Sequence, residues 1–349
     1  MNEIRVGLMG FGRIGRDLFR LLYGRSDIVV AAVNDIADPK GLEYLLRFDT
    51  LQGRFPTELS VHGSHFYVDG RQIPLLSQRR DSEVPWSAFG VDVVVEATGR
   101  PIGRVHMEQH LQGGAERVVL CVPPSEPPDI TVVMGVNDDQ LEPEHRIVSN
   151  ASCTAHAAAP IVKLLHGAFG IERAYLTTVH AYTNQQRLAD VPSEDKRRGR
   201  AAAENIIPQS TNAAEVVAGL VPELEGRIHG MAMNVPVPNG SVVDLVCWHE
   251  RDVSKLAINE VVRTAAAGSW RHVLAYEDDP IVSSDILGSP YSGTFDSDAT
   301  MILGDEETSK VSKTLTWFDN SWGYSNRVVD LIRKLSELDG ARSAQGVRS

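Results

Sequence analysis

The stretch Gly10-Phe11-Gly12-Arg13-Ile14-Gly15 decides the fold of this chain. It follows an apolar run at residues 4–9 that is typical of a buried strand, and a run with helical spacing continues from it to Tyr23. Glycines at this spacing allow a tight turn and let backbone N–H groups approach a pyrophosphate at the N-terminus of the helix. The order of strand, glycine turn and helix predicts a dinucleotide-binding domain with a parallel sheet.

A carboxylate at the end of the next strand sharpens this prediction. Asp35 lies twenty residues after Gly15 and follows an apolar run at residues 28–33. An acid at this place accepts hydrogen bonds from the adenosine ribose and repels a 2′-phosphate, so we expect NAD rather than NADP. A glycine turn in an unrelated α/β unit is the alternative, and it leaves the combination of strand, helix and acid unexplained.

The first part of the chain continues as a parallel α/β domain. Further apolar runs that predict strands lie at 91–96, 117–122, 131–136 and 147–149. Residues 55–76 show alternating patches and the turn sequence Asp69-Gly70, which predicts a hairpin inserted in this domain.

Beyond Cys153 the pattern changes to that of an α+β domain. Helices are predicted at 155–169 and 253–267, and strands at 173–179, 231–237 and 241–248. Few helices separate these strands, which favours a mixed or antiparallel sheet. Helical spacing returns at 328–338, and the polar tail 339–349 is expected to fray. The predicted boundaries are 1–152 for the nucleotide domain, 153–319 for the second domain and 320–349 for the C-terminal helix and its tail.

Composition and charge exclude several classes of function. The 349 residues are 42% hydrophobic and 23% charged, which is ordinary for a globular protein and sufficient for two domains. The net charge of −12 does not favour a nucleic acid or an anionic membrane surface as partner. Three cysteines make no disulfide framework, so we expect a cytoplasmic protein. We see no signal-peptide pattern and no apolar run near the roughly 18 residues of a transmembrane helix.

Cys153 is the candidate nucleophile of the second domain. It stands in the string Ser149-Asn150-Ala151-Ser152-Cys153-Thr154, just before an alanine-rich run suited to open a helix. At the N-terminus of a helix the dipole favours thiolate over thiol. The alternative is a buried, unreactive cysteine, and this is how we interpret Cys121 and Cys247, because each lies in a strand-like apolar run.

A thiol nucleophile needs a base, and His180 is the best placed of the eleven histidines. It ends the strand-like run 175–179 and enters a polar loop, so it can face the N-terminus of a helix. His106 and His110 lie four residues apart, but Glu108 between them does not complete a zinc-binding pattern. Two exposed helical histidines are the simpler interpretation, and no metal is expected.

Long strings of sequence establish a resemblance that covers nearly the whole chain. Four strings carry this resemblance: the fingerprint, the string around Cys153, Thr177-Thr178-Val179-His180-Ala181-Tyr182-Thr183 and Gly323-Tyr324-Ser325-Asn326-Arg327-Val328-Val329-Asp330. In all four, the chain resembles the glyceraldehyde-3-phosphate dehydrogenase family. The resemblance implies a Rossmann NAD-binding domain, an α+β catalytic domain and a C-terminal helix that returns to the NAD domain. It also implies a homotetramer.

The resemblance implies roles for individual residues as well. Cys153 takes the place of the nucleophile, and His180 takes the place of its base. Cofactor-binding positions fall on Gly10, Gly12, Arg13, Ile14, Gly15, Asp35, Thr98, Gly99, Cys121, Asn320 and Tyr324. Positions for the substrate phosphate and the attacking phosphate fall on Ser152, Thr154, Thr183, Thr211, Asn212 and Asn234.

The sequence departs from the family at the anion sites. Asn234 stands where the family carries an arginine shared by both phosphates, and Asn212 and Glu215 replace a glycine and a lysine. Arginine binds phosphate bidentately, and a hydrogen bond to a charged group contributes roughly 1.5–3 kcal/mol. We therefore expect phosphate affinity to fall by about one to two orders of magnitude. Arg187 or Arg198 could compensate; the basic run that contains Arg198 is otherwise interpreted as a solvated or inter-subunit loop, or as a local anion site.

Two further departures surround the thiol. His156 lies one helical turn beyond Cys153, where it could tune the thiol, contact a modified substrate or pack in the core. Cys121 stands where the family usually has a serine near the nicotinamide. Because these departures from the family cluster around one pocket, they favour a family member whose substrate specificity has changed.

The expected function is NAD-dependent oxidation of a small phosphorylated aldehyde through a thioester, followed by phosphorolysis to an acyl phosphate. Glyceraldehyde 3-phosphate or a close analogue is the expected substrate, together with inorganic phosphate. One alternative is the same oxidation with a different aldehyde, for example erythrose 4-phosphate, or with water in place of phosphate as the acyl acceptor. A related alternative is an inhibitor-resistant enzyme that serves a specific pathway. Another alternative is a catalytically weak NAD-binding protein with a regulatory role.

Overall fold

The computed structural model describes residues 3–122, 124–304 and 307–346, with side chains up to residue 339. The chain divides into two compact units. The first unit comprises residues 1–132, 138–151 and 325–349, and the second comprises 133–137 and 152–324. The predicted boundary after residue 152 thus falls one residue beyond the division at 151/152.

The first unit is built on a nine-stranded sheet. Its helices are α1 (Arg13–Leu22), α2 (Pro39–Arg47) and α3 (Arg104–Gln112). Its strands, including the separate β3–β4 ribbon, are β1 (Ile4–Met9), β2 (Ile28–Asn34), β3 (Phe48–Asp49), β4 (Gly53–Arg54), β5 (Leu59–His62), β6 (His65–Val68), β7 (Arg71–Leu76), β8 (Val93–Glu96), β9 (Arg117–Leu120), β10 (Ile130–Thr131) and β11 (Ile147–Ser149).

The strand order of this sheet places a binding crevice at the end of β1. The order is β10-β11-β9-β8-β1-β2-β7-β6-β5, and β1 is parallel to both β2 and β8. The chain leaves β1 first toward β2 and later returns to its other side at β8. In an open parallel sheet, such a switch point is where the loops after two neighbouring strands separate and receive a ligand. The loops concerned follow Met9 and Glu96.

Two predictions for this unit need correction. Residues 55–76 form a three-stranded meander, β5 to β7, whose last strand runs parallel to β2 and so extends the main sheet rather than forming a separate hairpin. The predicted strand at 131–136 is reduced to β10, and the rest is a buried turn in which Gly135 has a φ of +83°. Apolar residues bury themselves in this turn as they would in a strand, so periodicity alone could not separate the two.

The second unit contains a seven-stranded sheet covered by helices. Its helices are α4 (Cys153–Phe169), α5 (Ala213–Leu220) and α6 (Lys255–Ala267). Its strands are β12 (Ile171–Ala181), β13 (Ile207–Gln209), β14 (Ile228–Val235), β15 (Ser241–Val253), β16 (Leu274–Glu277), β17 (Gly293–Ile302) and β18 (Ser309–Phe318). The order is β13-β14-β12-β15-β18-β17-β16, in which β12 and β14 are parallel while β12 and β15 are antiparallel. The mixed sheet predicted from the sequence is confirmed, and with it the α/β fold class.

The C-terminal helix α7 spans Trp322–Gly346, so it begins two residues after the predicted boundary at 320 and six residues before the helical spacing at 328–338. Asp319 caps it, because its Oδ1 atom accepts hydrogen bonds from the backbone N–H groups of Ser321 and Trp322 at 2.9 and 2.7 Å. From Ser325 onward the helix belongs to the first unit, where Arg333 forms an ion pair with Asp27 at 3.0 Å. The tail expected to fray is helical to Gly346, and residues 347–349 lie outside the described residues. Within the described part of the chain, no helix is both long and apolar enough to span a membrane.

Candidate functional site

The glycines of the fingerprint are required by close backbone packing. Gly10 has a φ of +96°, and a Cβ atom there would lie 2.7 Å from the backbone nitrogen of Thr98. A Cβ atom at Gly15 would clash with the carbonyl oxygen of Gly10. The turn after β1 therefore lies directly against the turn after β8, and α1 lies directly against the turn after β1, which only glycine permits.

The N-terminus of α1 fits a pyrophosphate. Gly12 is the N-cap residue, it is exposed, and a Cβ atom placed there would meet nothing within 4 Å among the described residues. No described side chain caps this helix, so the N–H groups of its first turn, at Arg13 and Ile14, point toward the open space above Gly12. A helix N-terminus that presents backbone N–H groups binds phosphate oxygens well. These residues would hold the NAD pyrophosphate.

Asp35 follows β2 and already has partners in the structure. One carboxylate oxygen accepts a hydrogen bond from the backbone N–H of Phe11 at 2.7 Å, and the other accepts one from Ala37 at 2.9 Å. The carboxylate thus fixes the fingerprint turn, a role that sequence spacing did not indicate. Its part-exposed position is compatible with the expected ribose contact, which stays a prediction.

The remaining cofactor positions lie in both units. Thr98 and Gly99 follow β8 at the switch point, and Gly99 has a φ of +76°. Cys121 lies one residue beyond β9 and is partly exposed, so its interpretation as a buried strand residue was wrong. Asn320 and Tyr324 belong to the second unit, where the Oδ1 atom of Asn320 accepts a hydrogen bond from Ser241 Oγ at 3.3 Å.

Cys153 is the first residue of α4, two residues earlier than the predicted helix start. Ser152 is the N-cap, and its Oγ atom accepts a hydrogen bond from the backbone N–H of Ala155 at 3.1 Å. Ala151, just before the cap, has a φ of +49°, a conformation that is strained for a residue with a Cβ atom. The turn and the helix together place the thiol at the positive end of the helix dipole.

His180 faces this thiol from the end of β12. Its Nε2 atom lies 3.5 Å from Cys153 Sγ, and its Nδ1 atom lies 2.7 Å from the carbonyl oxygen of Ala181. Because a carbonyl oxygen only accepts, Nδ1 carries the proton of the neutral ring, and Nε2, which contacts the thiol, has the lone pair that can accept a proton. The geometry therefore gives a thiol and a base with the tautomer that proton transfer requires.

All the residues expected at the anion sites lie together with the thiol and the base. A cavity of about 200 Å³ is lined by Cys153, His180, Ser152, Thr154, Thr183, Thr211, Asn212 and Asn234. The same cavity is lined by Arg198, one of the two arginines expected to compensate for the missing charge. It is also lined by residues that the sequence analysis did not select, namely Thr178, Gln185, Gln186, Gln209, Ser210 and Ala232. Of the two arginines that the sequence left open, Arg198 lines the cavity and Arg187 does not.

Comparison with known proteins agrees with this geometry. Residues 4–110 match the profile of the "Glyceraldehyde 3-phosphate dehydrogenase, NAD binding domain", and residues 152–320 match that of the "Glyceraldehyde 3-phosphate dehydrogenase, C-terminal domain". The chain is 47% identical over 329 residues to glyceraldehyde-3-phosphate dehydrogenase of Geobacillus stearothermophilus, covering 94% of this chain and 97% of that protein. It is 48% identical over 330 residues to glyceraldehyde-3-phosphate dehydrogenase 2 of Streptomyces avermitilis, with the same coverage.

The chain belongs to the glyceraldehyde-3-phosphate dehydrogenase family. Membership confirms the resemblance and makes the chain an NAD-dependent oxidoreductase of this family. The second profile begins at residue 152, the cap of α4, so the thiol, the base and the whole cavity lie in the C-terminal domain.

Asn234, at the position where the resemblance implies an arginine shared by both phosphates, makes contacts of a different kind. Asn234 is opposite His180 in the parallel pairing of β12 with β14. It is buried, and its Nδ2 atom donates a hydrogen bond to the carbonyl oxygen of Ala181 at 3.2 Å, the same oxygen that accepts from His180. The carboxamide thus supports the residue that orients the base, and it brings no charge to the cavity.

Arg198 is the one lysine or arginine among the described residues that line the cavity. Its Nε atom donates to Gln209 at 3.0 Å and lies 3.3 Å from Asp195, so part of its charge is already neutralised. Two helix N-termini, those of α4 and α5, also open into the cavity through Cys153 and Asn212. The groups of the cavity that could attract an anion are therefore one cation and two helix dipoles.

Three buried polar atoms of the cavity lining have no hydrogen-bond partner among the described residues. They are the Oγ1 atom of Thr178 and the Nε2 atoms of Gln186 and Gln209. The Oε1 atom of Gln186 accepts a hydrogen bond from the backbone N–H of Thr183, and the Oε1 atom of Gln209 accepts one from Arg198. The amide N–H groups of both glutamines therefore lack an acceptor among the described residues. Buried donors of this kind call for an acceptor, and phosphate or hydroxyl oxygens of a ligand would supply it.

Other candidate groups lie outside this cavity. Burial raises the pKa of the Cys247 thiol to about 12, which makes that residue unreactive. His156 is buried with its ring 6.0 Å from that of Tyr324, and neither it nor Glu215 lines the cavity. The expectation of two exposed histidines on α3 was wrong for His110, which is fully buried.

Proposed function

We propose that this protein oxidises a small phosphorylated aldehyde with NAD and inorganic phosphate to an acyl phosphate. Glyceraldehyde 3-phosphate is the first candidate substrate, since the relatives of similar length carry its name. The observation that carries the proposal is the 3.5 Å contact between Cys153 Sγ and His180 Nε2 inside a cavity lined by hydroxyls, carboxamides and one arginine.

The oxidation half of the reaction follows from the two catalytic side chains. The Cys153 thiolate attacks the aldehyde carbon, a C–S bond forms, and the carbonyl oxygen takes up a proton from His180 Nε2. The same nitrogen then removes the hydroxyl proton of this thiohemiacetal while the carbon loses hydride, which leaves a thioester on Cys153. NAD, when bound, supplies the acceptor for that hydride. The Ala181 carbonyl keeps His180 in the required orientation throughout.

The second half of the reaction transfers the acyl group. A phosphate oxygen attacks the thioester carbon, and the C–S bond breaks to release the Cys153 thiolate, which the N-terminus of α4 stabilises. Arg198 and the N–H groups at the start of α5 are the positive groups available to the phosphate. The thioester conserves the energy of oxidation, and because phosphate rather than water attacks it, the product is an acyl phosphate and not a free acid.

The test is the formation of NADH from glyceraldehyde 3-phosphate, followed by absorbance with and without inorganic phosphate. We expect sustained turnover only when phosphate is present. Equal rates with and without phosphate would show that water is the acyl acceptor. A purified protein that binds NAD but forms no NADH from any aldehyde would support the regulatory alternative instead.

The charge of the cavity favours a second candidate, a related oxidation with a different aldehyde or acceptor. Phosphate at both anion positions would bring several negative charges to a cavity with one partly neutralised arginine. The test is a panel of glyceraldehyde 3-phosphate, erythrose 4-phosphate and unphosphorylated glyceraldehyde, compared by kcat/KM at fixed phosphate. The proposed substrate should lead the panel by at least about tenfold, a difference of about 1.4 kcal/mol.

We also propose that the protein is a cytoplasmic homotetramer. Large apolar side chains of the second unit are exposed to solvent in the single chain, among them Leu188 at 89%, Leu303 at 70% and Ile206 at 67%. Exposed apolar residues of this size support burial against other copies. All three cysteines are free thiols, which supports a reducing compartment. Light scattering should give four times the mass of one chain.

A further inference from the structure

Glu96 is a fully buried carboxylate at the end of β8, where the first unit has its switch point. A buried charge is unfavourable unless hydrogen bonds replace the water that it has lost. Glu96 has such bonds. One oxygen accepts from the backbone N–H of Thr98 at 2.9 Å and from Thr98 Oγ1 at 2.5 Å. The other lies 3.3 Å from His110 Nε2.

His110 donates to Glu96 because Trp86 determines its tautomer. The indole N–H of Trp86 donates to His110 Nδ1 at 3.2 Å, and both side chains are fully buried. An indole nitrogen only donates, so Nδ1 must be the unprotonated nitrogen and Nε2 carries the proton. The result is a chain of hydrogen bonds from Trp86 through His110 and Glu96 to the Thr98 turn.

The same tautomer argues against a metal at this place. Donor atoms of Asp81, Glu96 and His110 all lie within 4.8 Å of one another, a spacing that could hold an ion. A metal needs a free lone pair on the imidazole, and here Nδ1 is occupied by Trp86 while Nε2 carries a proton. Asp81 has partners of its own, His106 at 2.9 Å and Arg100 at 3.7 Å.

The Thr98 turn that Glu96 holds touches the fingerprint. A Cβ atom on Gly10 would lie only 2.7 Å from the backbone nitrogen of Thr98, so the two turns are in direct contact. A shift of the Thr98 turn would therefore move one wall of the crevice relative to the other. Because His110 holds the Glu96 carboxylate and the carboxylate holds Thr98, the Thr98 turn is fixed in a single position.

We propose that Glu96, oriented by His110 and Trp86, is a positioning residue that sets the Thr98-Gly99 turn for NAD. This proposal rests on the assignment of Thr98 and Gly99 to the cofactor site. It concerns NAD affinity and leaves the chemistry at Cys153 untouched, since the carboxylate holds the turn and contacts neither the thiol nor its base.

The test compares Glu96→Gln and His110→Leu with His110→Gln, which keeps a donor in place of the imidazole Nε2. Calorimetry with NAD gives the dissociation constant, and steady-state rates give KM for NAD and kcat separately. We expect the first two variants to weaken NAD binding by about tenfold, the effect of losing one charge-assisted hydrogen bond. We expect His110→Gln to restore most of the affinity, and kcat at saturating NAD to stay within about twofold.

The matched control is His106→Gln, on the same helix and one turn earlier. His106 is exposed and pairs with Asp81 rather than Glu96, so NAD affinity should not change. Unchanged NAD affinity in Glu96→Gln and His110→Leu would overturn the proposal, whatever their thermal stability. So would a stoichiometric zinc ion in the purified protein that His110→Leu removes. A wild-type protein that binds no NAD would instead contradict the proposed function.

Discussion

The cofactor fingerprint and the thiol cavity are built in different ways. The fingerprint is made by backbone groups within one short turn, where Gly10 and Gly15 allow close packing and Asp35 fixes the N–H of Phe11. The cavity is made by side chains from α4, β12, β13 and β14 and from the loops around them, which are spread over residues 152–234. A site made of backbone tolerates few changes of sequence, whereas a site made of side chains can change its specificity by single substitutions. The fingerprint keeps its glycines, and we predict the departures from the family in the cavity, at Asn212 and Asn234.

The largest expected effect separates the two regions. Cys153→Ser removes the nucleophile, because a hydroxyl at this place is far less acidic than a thiol, and NADH formation should fall by about 10⁴-fold or more. NAD affinity should remain within about twofold, measured by calorimetry. If the serine variant still turned over at a useful rate, the assignment of the nucleophile would be wrong.

His180→Asn tests the base without removing the thiol. Asparagine fills a similar volume but takes up no proton, so kcat should fall by about 10²- to 10⁴-fold. Alkylation of Cys153 by iodoacetamide at neutral pH should slow as well, because the imidazole no longer receives the thiol proton. His229→Asn, on the exposed part of β14, is the control and should leave both rates unchanged. An alkylation rate that does not respond to His180→Asn would argue against the pairing.

Gly10→Ala tests the backbone nature of the fingerprint. The added Cβ atom would meet Thr98 and would sit at a φ of +96°, strain of about 1–3 kcal/mol. We expect NAD affinity to drop by about tenfold or more, while alkylation of Cys153 in the other unit is unaffected. Gly41→Ala serves as control, because its Cβ atom would be 3.8 Å from Asp38 in ordinary contact. Calorimetry on both variants would detect the difference, and equal affinities would show that the turn can relax.

Asn234→Arg tests whether the absence of a positive charge at this position lowers the affinity of the cavity for phosphate. A guanidinium at this position would add bidentate hydrogen bonds to phosphate, so KM for phosphate should fall by about tenfold. It would also remove the hydrogen bond to Ala181, so some loss of kcat is expected along with the gain in affinity. Asn259→Arg, on α6 and outside the cavity lining, controls for a general change of charge. A KM for phosphate unchanged by Asn234→Arg would contradict the charge argument.

The smallest expected effect is a pH dependence of stability. His249 is buried between Gly170 and Ser312, and burial holds its pKa below the ordinary value of 6.5. The unfolded chain therefore binds this proton more readily than the folded protein, so stability is lost as pH falls below about 6.5 toward the lower, folded-state value. In His249→Gln this component should vanish, and urea unfolding at pH 5.5 and 7.5 should differ less than in the wild type. His272→Gln, in the turn before β16, is the matched control.

Part of the fold could be predicted because local patterns suffice there. The strands at 4–9 and 147–149 have the observed limits, since their apolar runs are bounded by glycine and by polar residues. Strands β17 and β18 were missed because their buried positions include polar residues, such as Ser312, Thr314 and Thr316 of β18, where a strand pattern has apolar ones. Pairing across the sheet, rather than hydrophobicity, makes them strands. His110 was misplaced because its partners, Trp86 and Glu96, approach it only in the folded protein.

The amino-acid sequence by itself determined the nucleotide fold and the choice of NAD, and it predicted the thiol and its base. The glycine turn and the cysteine before a helix are short strings that can be recognised locally, whereas the choice of His180 among eleven histidines rested on the resemblance to the family. Only the tertiary structure decided that Arg198 lines the cavity, that Asn234 supports the carbonyl of Ala181, and that Glu96 holds the Thr98 turn. Those facts depend on which strands become neighbours and on burial, and neither the pairing of distant strands nor the loss of water around a side chain is local in the sequence.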